Sequence, residues 1–295
     1  MAEGGIFSER PDMKSMLSDN TCETTFPGMG VSLAEETQQA IDLLREHESE
    51  ALKLSPDGFY LAFSGGKDSV VIEHLARISG VKHQSWYSQT TIDPPELVRF
   101  IKRQYPYVKW NRPKQNFFVA ALSKTMPTRL MRWCCEKYKE SAGDNLIVIL
   151  GVRAAESLRR RKQWNAITLW RNHQTGYAVC PIVHWSDQEV WDYIRMHHLP
   201  YCSLYDEGWK RLGCIGCPMA GKLRLIEFAR WPGFEKAWKL TAKKIYESRF
   251  GKVNSRGLPY FVNRFPTWQD YWNWWINDEN SSEDDQQQCL GLFDE

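Results

Sequence analysis

Apolar and polar positions along the chain change period several times. Residues 32–53 carry Leu33, Ala40, Leu43, Leu44, Ala51 and Leu52 at helical spacing, which predicts a first helix. Gly58-Phe59-Tyr60-Leu61-Ala62-Phe63 is a short apolar run with the look of a buried strand. It runs into Ser64-Gly65-Gly66-Lys67-Asp68-Ser69 and then directly into a helix. Val70, Val71, His74, Leu75 and Ile78 fall on one face of that helix, and Gly80 stops it. The next unit has the same form. Residues 82–90 read as a strand, and Asp93-Pro94-Pro95-Glu96 opens a helix whose inner face is Leu97, Phe100 and Ile101. Val108–Trp110 reads as a third strand, 116–124 and 128–140 as helices, 145–150 as the clearest strand, and Pro181–Val183 as another. Ser186-Asp187-Gln188-Glu189 has the pattern of a capping box before a helix carrying Val190, Trp191 and Ile194. Residues 222–251 and 267–277 add helices, and in the last of these Trp268, Trp272 and Trp275 share a face suited to packing.

Strands alternating with helices predict an α/β fold, a doubly wound, mostly parallel sheet covered on both faces, with C-terminal helices added. Four segments follow: a loose N-terminal arm at 1–30, the sheet domain at 31–218, a helical, basic extension at 219–277, and an acidic tail at 278–295.

Composition narrows this picture. The 295 residues are 42% hydrophobic and 25% charged, an ordinary globular balance with ample material for a core. No apolar run approaches the roughly 20 residues of a membrane span, and Met1–Gly5 has neither a basic start nor an apolar core. A soluble, cytoplasmic protein without a membrane partner is the expectation. The net charge of +2 hides an asymmetry. Residues 207–252 hold eleven Lys/Arg against four Glu, a stretch suited to a nucleic acid or to a solvated helix face, while 276–295 hold seven acids and no base.

Cysteine placement carries chemistry. Of eight Cys, Cys134 and Cys135 are adjacent, and Cys214 and Cys217 form a CxxC in a Gly-flanked turn. Four thiolates from two paired sites suit an iron–sulfur cluster or a structural zinc. A vicinal pair is awkward for a zinc knuckle, which favours iron–sulfur. Cys180 and Cys202 read as buried, inert thiols.

The run from strand through Ser64-Gly65-Gly66-Lys67-Asp68-Ser69 to helix is a phosphate-binding pattern. Its glycines permit a tight turn, the helix N-terminus offers free N–H groups, Ser64 and Ser69 add hydroxyls, and Lys67 adds charge. Asp68 suits Mg²⁺ or fixing of the loop. Arg153, ending the 146–150 strand, is placed to clamp a phosphate or sulfate. Asp93 ends another strand, beside Thr90 and Thr91.

The loop resembles the PP-loop of the ATP pyrophosphatase superfamily. Trp133-Cys134-Cys135, Gly151-Val152-Arg153 with Glu156-Ser157, and the run from Leu199-Pro200-Tyr201 through Tyr205-Asp206-Glu207-Gly208 to Gly213-Cys214-Ile215-Gly216-Cys217 resemble the phosphoadenosine/adenosine phosphosulfate reductase family, over roughly residues 58–218. The resemblance implies an adenine nucleotide α-hydrolase-like fold and a 4Fe–4S cluster on Cys134, Cys135, Cys214 and Cys217. It implies an adenine nucleotide at Ser64, Gly65, Gly66, Lys67, Asp68, Ser69, Asp93 and Arg153, with Lys67, Asp68 and Arg153 catalytic. Reductases of the family usually carry a degenerate loop, whereas its ATP-using relatives keep the full one. The full loop here points to ATP, with pyrophosphate release activating an acceptor for sulfur transfer, nucleic acid among the candidates. The first alternative is an adenylyl-sulfate or phosphoadenylyl-sulfate reductase with thioredoxin or a sulfur-donor protein as partner. It uses Cys289 in the tail Gln288-Cys289-Leu290-Gly291-Leu292, which lacks the Glu and His of the reductase motif. The second is a nucleotide-dependent, nucleic-acid-binding subunit without turnover.

Overall fold

The computed structural model describes residues 31–140, 143–169, 176–253, 257, 260, 261 and 265–277. The expected N-terminal arm, the acidic tail and Cys289 lie outside them. Helix α1 (Val31–Leu54) leads into β1 (Phe59–Ala62), α2 (Lys67–Ser79), β2 (His83–Ser88), α3 (Pro95–Gln104), β3 (Lys109–Asn111) and α4 (Phe117–Ser123). A single turn, α5 (Trp133–Cys135), precedes β4 (Val148–Ile149), α6 (Leu158–Gln163), β5 (Ile167–Leu169), β6 (Tyr177–Val179) and α7 (Asp187–Met196). Helices α8 (Leu223–Arg230), α9 (Pro232–Arg249) and α10 (Trp268–Ile276) complete the order.

The strands form one six-stranded sheet in the order β3-β2-β1-β4-β6-β5. Every pairing is parallel except β5 with β6. The chain leaves β1 toward β2 and β3, then returns to lay β4 on the other side of β1. That reversal opens a crevice at the C-terminal ends of β1 and β4, where open α/β sheets receive ligands. The loop Ser64–Ser69 follows β1 and Arg153 follows β4, so both border this crevice.

Several elements differ from the sequence expectation, each for a local reason. The 145–150 strand is Val148–Ile149, and Asn145, at φ 63°, belongs to the turn before it. Ladder bonds still flank it, from Tyr60 N to Ile147 O and from Leu150 N to Val179 O. Pro181–Val183 is a turn and the strand is Tyr177–Val179, since Pro181 has no N–H for a ladder. The expected 128–140 helix is broken into a Thr128–Met131 turn, α5 and a π-type turn at Glu136–Glu140. The 222–251 helix divides at Trp231-Pro232, where Trp231 leaves helical geometry at φ −127°, ψ 70°. On α2, Ile78 is exposed rather than inward-facing.

One cluster of buried side chains runs from Leu33 to Trp275, so the C-terminal helices share the core of the sheet. Trp272, Trp274 and Trp275 of α10 are buried, as core packing requires. Part of the basic stretch is committed to packing or pairing, while Lys210, Lys222, Lys236, Lys244 and Lys252 are exposed. Arg224 is fully buried with its guanidinium over the Trp275 ring, and Arg249 donates to the Ser123 carbonyl. Arg230 pairs with Glu207 and Glu96, Lys239 with Glu235, and Lys243 with Glu247. No helix among the described residues is long and apolar enough to cross a membrane.

The seam between α2 and α7 holds His74, whose Nδ1 lies 2.8 Å from the Tyr193 hydroxyl. Burial, then the His197 and Arg77 charges, lowers this imidazole from 6.5 to about 3. Between those values the unfolded chain binds a proton that the folded chain refuses, so this contribution to stability is full above pH 6.5 and is lost on acidification. We expect the denaturant midpoint of the wild type to fall from pH 7 toward pH 4. In His74→Gln the midpoint at pH 7 should be lower and its pH slope shallower. An unchanged slope would remove His74 from the account.

Candidate active site

The loop after β1 is shaped by its glycines and hydroxyls. Gly65 sits at φ +75°, and a Cβ there would come within 2.7–2.8 Å of the Ile101 and Leu97 side chains. Ser64 Oγ donates to Ser69 Oγ at 3.2 Å, and Ser69 Oγ donates to the Gly66 carbonyl at 2.8 Å. The Lys67 N–H, in the first turn of α2, donates to the Tyr205 hydroxyl at 2.9 Å. Burial first holds that phenol protonated, well above its usual range.

Two buried cations meet in the crevice. Lys67 and Arg153 side chains are 5% and 3% exposed. Arg153 Nε donates to Asp68 Oδ1, and Lys67 Nζ lies 3.3 Å from Asp68 Oδ2. Both oxygens of Asp68 are thus held by cations, which fixes the loop against the end of β4. Gly151 admits this contact: a Cβ there would stand 3.1–3.3 Å from Asp68. Arg153 Nη1 also donates to the Trp185 carbonyl. A second carboxylate, not anticipated as a site residue, joins them. Asp187 Oδ1 lies 3.1 Å from Lys67 Nζ and 2.8 Å from Arg153 Nη2. Burial works to raise the Asp187 carboxyl, but Lys67 and Arg153 outweigh it and hold the group below its ordinary value. In the sequence Asp187 reads only as part of a helix cap, a role that Ser186 and Glu189 do fill as a capping box.

A cavity of about 120 Å³ opens beside the loop, lined by Ser64, Ser88, Asp93, Lys139 and Gly213 among others. Asp93 borders it while accepting from the Thr90 N–H at 2.8 Å. A larger cavity of about 470 Å³ lies along the sheet between Tyr60, Trp86, Asn111, Arg112 and Lys137, and the two share Trp86 and Ser88.

Beyond the smaller cavity lie the four thiols. A hydrogen bond between neighbours pushes Cys134 up and Cys135 down, and Arg132 draws Cys135 lower still. Cys134 also feels the charges of Cys214 and Cys217. Burial raises Cys214 and, with the Cys214 charge, pushes Cys217 up to about 11. Lys139 is held above its usual range, first by Cys214 and also by Asp93, Cys135 and Cys217. Lys139 borders the smaller cavity, and one or both cysteines of each pair favour its charged form. Among the described residues, no group of three or more His, Cys, Asp or Glu side chains is assembled to hold a metal ion. Cys180 and Cys202 are fully buried.

A family model described as the phosphoadenosine phosphosulfate reductase domain matches residues 58–220, more than half of the chain. The chain belongs to this family. The matched stretch includes the Ser64–Ser69 loop, Arg153 and the Cys214–Cys217 turn. An uncharacterized protein of Methanocaldococcus jannaschii is 30% identical over 207 residues, 62% of this chain and 42% of its own. The chain spans about two fifths of the length of the first curated relatives it matches. Adenosine 5′-phosphosulfate reductase of Bacillus cytotoxicus is 27% identical over 225 residues, 70% of this chain and 92% of its own. The crystal structure of phosphoadenylyl-sulfate reductase from Candida auris is 18% identical, with a TM-score of 0.44 over 63% of this chain and 97% of its own.

The CxxC turn leans on α9. Gly216 has φ +79°, a Cβ there would come within 2.5 Å of Trp238 Nε1, and that nitrogen donates to the Ile215 carbonyl at 3.0 Å. Trp238 is fully buried and stacks on Trp275. Trp238→Ala should cost about 3–5 kcal/mol in chemical denaturation. It should also speed alkylation of Cys214 and Cys217 in the folded protein. Unchanged thiol reactivity would show that the turn holds its shape unaided.

Proposed function

We propose that the chain is an ATP-using, iron–sulfur-containing sulfur-transfer enzyme of the phosphosulfate reductase family. One observation carries the reading. Two buried cations, Lys67 and Arg153, converge where β1 and β4 end, beside a helix N-terminus. Such a place suits a polyphosphate, whose oxygens can share both cations with Asp68. Lys67, the Ser64 and Ser69 hydroxyls and the α2 N–H groups would bind the phosphates. Arg153, steadied by Asp68 and the Trp185 carbonyl, would face the negative charge that builds on the transferred group. Asp68 is occupied with both cations, which makes loop fixing its main work; Mg²⁺ would reach it only by displacing one of them. The larger cavity gives an acceptor room next to the nucleotide. The acceptor reading draws little from residues 207–252, where part of the charge is paired or buried.

The donor chemistry of the thiols fits a 4Fe–4S cluster. Two short segments supply four thiols whose ionisation states influence one another, and Lys139 and Arg132 offset the charge of thiolates. Cys134, Cys135, Cys214 and Cys217 would hold it. Such a cluster supplies an electron-storing, charged body beside the cavity. Anaerobically purified protein should contain about four iron atoms per chain. Cys135→Ser should lose that iron and the accompanying visible absorbance while keeping its far-UV circular dichroism. Zinc in place of iron would sink the cluster reading.

A second reading has its own support: adenosine 5′-phosphosulfate reductases are among the relatives, one of them 51% identical over 159 residues, 48% of this chain. Here the chain would bind a preformed adenylyl sulfate, and Cys289 would attack its sulfur and expel the adenylate, leaving an S-sulfonated cysteine that a reduced thioredoxin thiol would then attack to release sulfite. One anaerobic assay separates the two. ATP and adenylyl sulfates are offered in parallel, with and without thioredoxin and reductant. Pyrophosphate from ATP is the expected product. Sulfite from an adenylyl sulfate, abolished in Cys289→Ser, would replace the first reading with the second.

A further inference from the structure

Asp187 is mostly open to solvent, with its side chain 66% exposed, while the cations it touches are buried. An acid in the first turn of a helix is ordinary and accounts for the residue type at the start of α7. It does not account for Lys67 and Arg153, from two other strand ends, sharing one of its oxygens. Neither cation needs Asp187 to stay in place. Lys67 keeps Asp68 Oδ2, and Arg153 keeps Asp68 Oδ1 and the Trp185 carbonyl. Asp187 can swing into water at small cost, because an exposed carboxylate is well solvated. Lys67 and Arg153 cannot follow it.

We infer that Asp187 is an internal competitor for the phosphate of the ligand. Its carboxylate occupies the anion position on Lys67 and Arg153 in the empty site, and an incoming phosphate displaces it. The residue thereby sets which ligands the loop accepts. A ligand must bring an anion able to replace a carboxylate on both cations, and a neutral nucleoside gains nothing from this position. The inference rests on the reading of the loop as a phosphate site.

The test is calorimetric titration of the full chain and of Asp187→Asn and Asp187→Ser with pyrophosphate, ATP and adenosine, with thermal unfolding of each. Both variants should bind pyrophosphate and ATP about tenfold more tightly than the wild type, with adenosine unchanged. Without ligand, both variants should melt below the wild type. At saturating pyrophosphate the gap should close, because the carboxylate is then displaced in the wild type too. Lys67→Ala should abolish pyrophosphate binding. If it does so, but the Asp187 variants bind pyrophosphate equally or more weakly, Asp187 supports the bound ligand and the inference alone fails. If pyrophosphate binds no protein in the set, or binds Lys67→Ala as well as the wild type, the phosphate-site reading fails and takes the inference with it.

Discussion

Burying two cations at the mouth of a parallel sheet constrains everything around them. Lys67 and Arg153 are placed by different strands, and each would be costly to bury unpaired. Asp68 answers both at once, with one oxygen for each. That arrangement requires the β1 loop and the end of β4 to come into contact, hence the bare backbone of Gly151 against Asp68. It also ties in the segment before α7, through the Trp185 carbonyl, and the 203–205 turn, through the Tyr205 hydroxyl on the Lys67 N–H. Three strand ends and a distant turn are thus held in one charge-compensated assembly, and the crevice has little freedom to close on itself.

Support for the thiols is of a different kind. It is aromatic rather than ionic. Trp238 fills the space that Gly216 leaves, stacks on Trp275, and packs against Phe117, which in turn stacks on Trp133 beside Cys134. Both cysteine segments therefore rest on one continuous aromatic body. The basic residues of this region complete that body, most clearly Arg224 over the Trp275 ring. Some of the basic residues that suggested a surface for polyanions are used for packing and pairing instead.

The Ser64–Ser69 turn and the helix it opens were legible because their constraints are local. A tight turn, a helix start and a buried charge each require particular residue types at adjacent positions. The alternation of strands and helices was legible for the same reason. What stayed hidden depends on distance or on a missing atom. Asp187 has the spacing of a helix cap and performs its second task only because β6 places α7 across from Arg153. The apolar run at Pro181–Val183 has strand composition, but without an N–H at Pro181 the ladder ends at Val179. The segment 128–140 has helical spacing, yet Thr128 satisfies its own backbone locally and Trp133 turns toward Phe117. The antiparallel β5, an edge strand with Leu169 largely exposed, carried no pattern strong enough to register.

The shared core bears on what counts as a unit in this protein. The family-model match ends at residue 220, yet Trp238, beyond it, packs on Ile215 and Phe117 within it and stacks on Trp275. A chain cut where the resemblance stops would present those apolar surfaces to water and leave the Cys214–Cys217 turn without its wall. The segment matched by the family model and the folding unit are therefore different lengths of the same polypeptide. In this protein the helices after residue 220 wall in the Cys214–Cys217 turn and share the core of the sheet.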